Sequence, residues 1–278
     1  MSPIVRLQKL IEDPDENFDL AEAALLIAAE EYPDLDVASC LRKLDDLAHT
    51  LKRRLRADIS PADTILSLNR YLFKELGFGP NLEDYYDPRN SFLNEVIERK
   101  VGIPITLSIV YIEIGQRIGL PLEGVSFPGN FLVKCTVRGD AIVLDPYAKG
   151  ISLSLADLQQ RLRQLHGGET PSKTQVAAML ESASKKDVLV RMLRNLKAIY
   201  LHYNQMRQAL SAVDRILLIA PGEVHEVRDR GAIYQKLECF RAALTDFQRY
   251  LEVEPGAEDA DAIRERIIEL QRSAARLN

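Results

Sequence analysis

Apolar positions in the first part of the chain recur at helical spacing. Over residues 19–57, Leu20, Ala23, Ala24 and Ile27 make one stripe and Leu41, Leu44, Leu47, Ala48 and Leu51 a second; Asp19 caps the first and Pro33-Asp34 turns the chain between them. Ser60-Pro61 opens another helix, because a serine hydroxyl accepts an N-terminal amide bond and proline is preorganised at the first helical position. Its stripe of Ile65, Leu68, Leu72 and Leu76 stops at Gly77. Residues 79–90 lose the period and carry Asn81, Tyr85, Tyr86 and Asp87-Pro88, which predicts an ordered loop, followed by a short helix near 91–99. Gly102 breaks the chain, and Pro104 opens a helix ending near Gly119. Its Ile105, Leu107, Ile109, Val110, Ile112 and Ile114, with few charges, predict near-complete burial.

Beyond that helix the period shortens. Stretches 122–127, 131–137 and 141–144 are short and rich in valine and β-branched residues, and Pro128-Gly129 and Arg138-Gly139-Asp140 separate them, which predicts an antiparallel sheet. Ser154 then caps a helix ending near Leu165, and 166–172 has the composition of a linker. The remainder repeats itself. Aligning 194–223 with 228–257 at an offset of 34 leaves eleven of thirty positions identical, among them Arg194/Arg228, Ala198/Ala232, Tyr200/Tyr234, Ala209/Ala243, Leu210/Leu244 and Pro221/Pro255. This is the tetratricopeptide period, with tyrosine and alanine at helix-pair contacts and proline ending the second helix. Residues 258–277 add a charged amphipathic helix with Ile263, Ile267, Ile268 and Leu270 on its apolar side, as a solubilising cap requires.

Length and charge narrow the function classes. A chain of 278 residues, 46% apolar, suits two domains with a sizeable interior. With 36 basic and 41 acidic residues the formal charge is −5, so neither nucleic acid nor an anionic membrane is an expected partner. Cys40, Cys135 and Cys239 stand far apart in no ligand or disulfide pattern, which suits a reducing compartment. The N-terminus soon reaches Asp13, Asp15 and Glu16, and no segment approaches the roughly eighteen uncharged apolar residues of a membrane span, so a cytoplasmic protein is expected. His49, His166, His202 and His225 all lie outside 79–150 and at no metal-ligand spacing, and no glycine-rich nucleotide loop occurs; no metal or cofactor is expected.

The order of a buried helix after a glycine, then strands, then an Asp-Pro turn, is similar to the transglutaminase-like superfamily. More closely, the chain resembles the bacterial SirB family, whose name refers to a proposed role in invasion-gene regulation. The resemblance runs through 19–25, Tyr85-Tyr86-Asp87-Pro88, Asn90-Ser91-Phe92-Leu93-Asn94-Glu95, Gly102-Ile103-Pro104-Ile105-Thr106-Leu107-Ser108, Phe127-Pro128-Gly129, Asp145-Pro146 and the tetratricopeptide end. It implies an α+β fold: a papain/transglutaminase-like core of helices plus a small antiparallel sheet, followed by an all-α tetratricopeptide helical domain. The expected organisation is a core over 1–168, a linker over 169–184, and about two repeats with a capping helix over 185–278.

Active members of the superfamily place a cysteine at the helix N-terminus, where free amides stabilise a thiolate, a histidine on the next strands and an aspartate after it. Those positions fall on Pro104, Asn130 and Asp145. Proline has no nucleophile, and a carboxamide cannot shuttle a proton near neutral pH. Asn130 is left either a turn-capping or a ligand-contacting side chain, and Asp145 a strand terminator in its Asp-Pro turn. Cys135, five positions past Asn130, points to the opposite strand face and reads as a small buried hydrophobe, while Thr106 and Ser108 read as structural hydroxyls.

The favoured expectation is a non-catalytic interaction or regulatory module that takes a protein or peptide partner in the tetratricopeptide groove, where Arg191, Arg194 and Arg228 are the candidate contacts and a guanidinium pair would grip a carboxylate. The alternative is an atypical hydrolase or acyltransferase with an unassigned nucleophile in a cleft around Gly102, Asn130 and Asp145, bordered by Thr106, Tyr85 and Asn90. The sequence leaves the oligomeric state open.

Overall fold

Caps set the helix starts. Asp19 Oδ1 accepts from Glu22 N, Asp36 Oδ1 from Ser39 N and Ser60 Oγ from Asp63 N, each satisfying an amide that the helix itself leaves without a partner. The computed structural model describes residues 1–13, 17–137, 139–168 and 170–276. The chain divides into two units, Met1–Val188 and Leu189–Asn278.

The first unit opens with α1 (Pro3–Glu12), α2 (Leu20–Glu31), α3 (Val37–Lys52) and α4 (Pro61–Asn69). Helix α1 escaped the sequence reading, although Pro3 sits at its start and Leu7 and Ile11 bury one face at a four-residue spacing. The helix expected to run to Gly77 widens instead into a π-helical turn, Arg70–Glu75, where Leu76 N reaches back five residues to Tyr71 O. Next come β1 (Gly79–Pro80), a 3₁₀ turn Pro88–Asn90, α5 (Leu93–Arg99), β2 (Val101–Gly102) and α6 (Pro104–Arg117). Strands β1 and β2 pair in parallel, Gly79 with Val101 and Pro80 with Gly102, so the expected loop over 79–90 begins as a strand.

A four-stranded antiparallel sheet follows, in the order β3 (Leu122–Val125), β4 (Leu132–Val137), β5 (Asp140–Asp145) and β6 (Ile151–Leu153). Arg138, in the turn between β4 and β5, lies outside the described residues. Strand β6 was not expected; it is three residues long and largely exposed. Helix α6 covers one face of the sheet. Gly115 of α6 approaches so closely that an added Cβ would lie 2.2 Å from a Leu122 methyl. The other face, with Val125, Leu132 and Val143, packs on α7 (Leu155–His166) and α8 (Lys173–Ala178) through Leu158, Leu162 and Val176. Both faces are covered, which is why these strands read as nearly continuous apolar runs. At the β3 edge, Gln116 Nε2 donates to Leu122 O and Ala183 N donates to Gly124 O.

Residues 169–184, expected as a linker, hold α8; Glu169 lies outside the described residues. Ser172 and Gln175 cap this helix reciprocally, and Val176 is wholly buried in the first unit's core. The glycine and serine composition that suggested a linker reflects this cap and the glycine that ends α7 in a left-handed conformation.

In the second unit the 34-residue period is geometric as well as chemical. Helices α9 (Lys185–His202), which begins in the first unit, α10 (Met206–Ile219), α11 (Val224–Lys236) and α12 (Phe240–Val253) form two helix pairs, with α10 and α12 offset by 34 at both ends. The inter-helix turns match residue for residue: Asn204 and Glu238 both take positive φ, 56° and 59°, and Gln205 N→Tyr200 O recurs as Cys239 N→Tyr234 O. Helix α13 (Ala260–Arg276) packs on α12 through Ile263, Ile267 and Leu270. Ile268, expected on that face, is half exposed, because it stands one position off the spacing that joins the other three.

Candidate functional site

Pro104 starts α6 in a setting that explains its whole motif. Thr106 Oγ1 accepts from Ile103 N at 3.2 Å and donates to Asn90 O at 2.7 Å, fastening the helix entrance to the end of the 81–90 loop. Gly102 is required because a Cβ there would lie 2.7 Å from that hydroxyl. Asn90, wholly buried, donates to Asp84 O and Tyr85 O and accepts from Asn81 Nδ2, so one side chain holds the loop's shape. Asp87 accepts from Arg89 and Arg99; burial alone would raise its carboxyl, but the hydrogen bonds and charges of these arginines hold it below the ordinary range. Tyr85 and Tyr86 stand half exposed on this loop, their rings edge to face at 5.5 Å.

The other two positions lie at the ends of β4 and β5. Asn130 N donates to Phe127 O in the turn before β4, and Gly129 in that turn takes φ +73°. Ser108 Oγ, one helical turn past Pro104, donates to Phe131 O and ties α6 to the start of β4. Tyr111 OH of α6 donates to Asn69 Oδ1, and Asn69 Nδ2 donates to Gly150 O just past the Asp145-Pro146 turn. Thr106 and Ser108 are both fully buried and bonded to backbone, as structural hydroxyls are.

Asp145 is itself buried and fully engaged. Its Oδ1 accepts from Ala148 N at 3.1 Å, closing the turn after β5, and its Oδ2 accepts from Arg161 Nη1 of α7 at 2.7 Å. Alternation along the strand accounts for this direction: Val143 belongs to the sheet face that packs on α7, and Asp145, two residues on, shares it. Arg161 escaped the sequence reading because it sits sixteen positions away on the polar side of an ordinary amphipathic helix. Cys135 is completely buried, and burial pushes its thiol up, so it stays protonated. Among the described residues no group of three or more histidine, cysteine, aspartate or glutamate side chains is placed to hold a metal ion.

The expected carboxylate grip in the repeats takes another form. Arg194 donates to Glu226 at 2.8 Å and Glu223 at 2.5 Å, and Lys197 bridges Glu226 and Asp229 at 2.7 Å each. Arg228 holds Asp229 and Asp259, and Asp259 also accepts from Tyr250 OH. Both arginines therefore grip carboxylates of their own chain: Arg194 of α9 reaches acids at the start of α11, two helices on, and Arg228 of α11 holds its neighbour Asp229 and Asp259 just before α13. Arg191 lies one turn before Arg194 on α9.

Comparison with known proteins agrees with this architecture. The family model described as Transglutaminase-like superfamily matches residues 38–194, and that described as Tetratricopeptide repeat matches 196–267. A UPF0162 protein of Xylella fastidiosa (strain Temecula1) is 40% identical over 260 residues, covering 92% of this chain and 91% of that one. A UPF0162 protein of Vibrio cholerae is 30% identical, covering 91% and 94%. Protein SirB1 of Salmonella typhimurium is 27% identical, covering 87% and 90%. Among the described residues, no helix is long and apolar enough to cross a membrane.

Proposed function

Because this chain belongs to the SirB1 and UPF0162 family of transglutaminase-like proteins with a tetratricopeptide end, we propose that it works without catalysis, as a protein-interaction or regulatory module. The observation that carries this reading is the engagement of Asp145 by Ala148 N and Arg161, in a chain whose other two triad positions are proline and asparagine. A carboxylate bound by a guanidinium and a turn amide has a folding role to perform whether or not any imidazole stands nearby. At the positions that match the superfamily's nucleophile and proton carrier stand Pro104 and Asn130, which can serve as neither. The interaction surface is assigned to the repeats, since tetratricopeptide arrays present extended concave faces to protein partners.

The catalytic arm of the test assays full-length protein against a panel of peptide amides, glutaminyl peptides and activated esters. Rates no greater than buffer are expected for the wild type. Turnover that Asp145→Asn removes, with unchanged circular dichroism, would overturn the reading. The interaction arm uses Arg191→Glu, a charge reversal at the candidate groove contact on α9, with circular dichroism to check that the helices are kept. Loss of partners captured by the wild type is expected, and retention of every one would remove the groove from consideration.

A further inference from the structure

Two short stretches of the first unit, 52–58 at the end of α3 and 70–75 in the π-helical turn, hold six basic and two acidic side chains on a chain whose formal charge is −5. The cations are Lys52, Arg53, Arg54, Arg56, Arg70 and Lys74, and all six are exposed. Contacts join the two stretches. Arg54 Nη1 donates to Glu75 Oε2 at 2.7 Å, and its guanidinium lies over the Tyr71 ring, 5.2 Å from the centroid. The wide π turn brings Arg70 and Glu75, five positions apart, to one side, with Arg70 Nε 3.3 Å from Glu75 Oε1. Glu75 thus shows how a carboxylate sits here, one oxygen toward each of two arginines. Among the described residues no ion pair joins Lys52, Arg53 or Lys74 to an acid.

The dipole of α3 favours cations at its C-terminal end, which accounts for Lys52 and Arg53 but not for Arg70 and Lys74 on the other stretch. Leu66 of α4, 64% exposed, stands one helical turn before Arg70 and adds an apolar anchor beside the charges. Arginine forks match carboxylates, and ion pairs as exposed as Arg54–Glu75 and Arg56–Asp58 hold little energy, so incoming carboxylates can exchange with the chain's own. A long polyanion, whether nucleic acid or an anionic membrane, would also meet the surrounding surface. With these stretches set aside, that surface is more acidic than the whole chain's 36 basic and 41 acidic residues, and it repels such a partner. A short acidic segment meets the cations alone. We infer that this surface docks an acidic segment of a protein partner, with carboxylates on Arg53, Arg54, Arg70 and Lys74 and an apolar side chain against Leu66. The surface lies within the first unit and does not rest on the repeat groove.

The test titrates full-length protein into a fluorescein-labelled peptide of glutamates interrupted by leucines, read by fluorescence anisotropy. Saturable binding that weakens as sodium chloride is raised is expected. Arg53→Glu together with Lys74→Glu should weaken it by about tenfold or more, and Leu66→Ser should weaken it severalfold. Glu75→Gln frees two arginines from the chain's own carboxylate and should tighten binding. Lys236→Glu together with Arg272→Glu, a reversal of the same size at exposed positions of the second unit, should leave it unchanged. Every substituted side chain is exposed, so the fold is kept, with circular dichroism as the check. No saturable binding, no loss in the Arg53→Glu, Lys74→Glu protein, or an equal loss in the Lys236→Glu, Arg272→Glu protein would overturn the proposal. So would tighter binding to a thymidine oligonucleotide or to phosphatidylglycerol vesicles than to the peptide.

Discussion

Replacing Arg161 by methionine asks whether Asp145 serves the fold. The Asp145 side chain is 4% exposed and Arg161 24%, joined by a single 2.7 Å bond. Removing one partner of a fully buried pair costs about 3–5 kcal/mol, because the other charge is stranded. Arg161 is one quarter open to solvent, so water replaces part of what is lost, and Arg161→Met should cost about 2 kcal/mol. Asp145→Asn keeps an oxygen for Ala148 N but gives up the charge that faces the guanidinium, at a cost of about 1–2 kcal/mol. In the methionine background the same change should be neutral or stabilising, since it removes the stranded charge, giving a coupling energy of at least about 1–2 kcal/mol. The four proteins of this cycle are compared by hydrogen exchange with mass spectrometry over peptides from 140–166, where 1.4 kcal/mol corresponds to about tenfold in local protection. Additivity within about 0.5 kcal/mol would refute the account of Asp145 as a carboxylate held by Arg161.

Three further outcomes are expected. Gly231→Ala puts a Cβ 2.9 Å from two ring carbons of the wholly buried Phe247. Overpacking of about 1–3 kcal/mol should exceed the helix-propensity gain of about 1 kcal/mol and lower thermal stability. Adding Phe247→Val should be less harmful in that background than alone, because the first repeat has the reverse sizes, Lys197 and Val213, at these two places. Glu238→Gly should stabilise the second unit by about 1 kcal/mol in urea titrations, since Glu238 holds φ 59°. For Asp87 the folded carboxyl lies below its unfolded value of about 3.9, so its stabilisation is present above that pH and disappears as pH falls through the folded value. The stability difference between wild type and Asp87→Asn should accordingly shrink between about pH 5 and 2, and a constant difference would contradict the assignment.

What the sequence revealed were features encoded by neighbours. The burial of α6 and the Ser60 and Ser154 caps depend on residues within a few turns, the 34-residue period is a direct repetition of the sequence, and all four reappear in the fold. The loop over 79–90 was recognised as ordered, though the agent of that order, Asn90, works through backbone carbonyls that no pattern advertises. Arg161 and the acids opposite Arg194 and Arg228 are long-range partners, invisible until strands and helices are assembled. Helix α8 was missed for a different reason: Ser172 and Gln175 spell a cap, but glycine-rich surroundings dominated the reading.

The covering of β3 by Gln116 and Ala183 bears on how the protein behaves at high concentration. Outward carbonyls on a border strand are templates for recruiting a strand from another molecule, and here those of Leu122 and Gly124 are already occupied. The opposite border, β6, runs for only three residues, too few to seed an extended intermolecular ladder. The sheet is thereby guarded on both flanks against edge-to-edge aggregation.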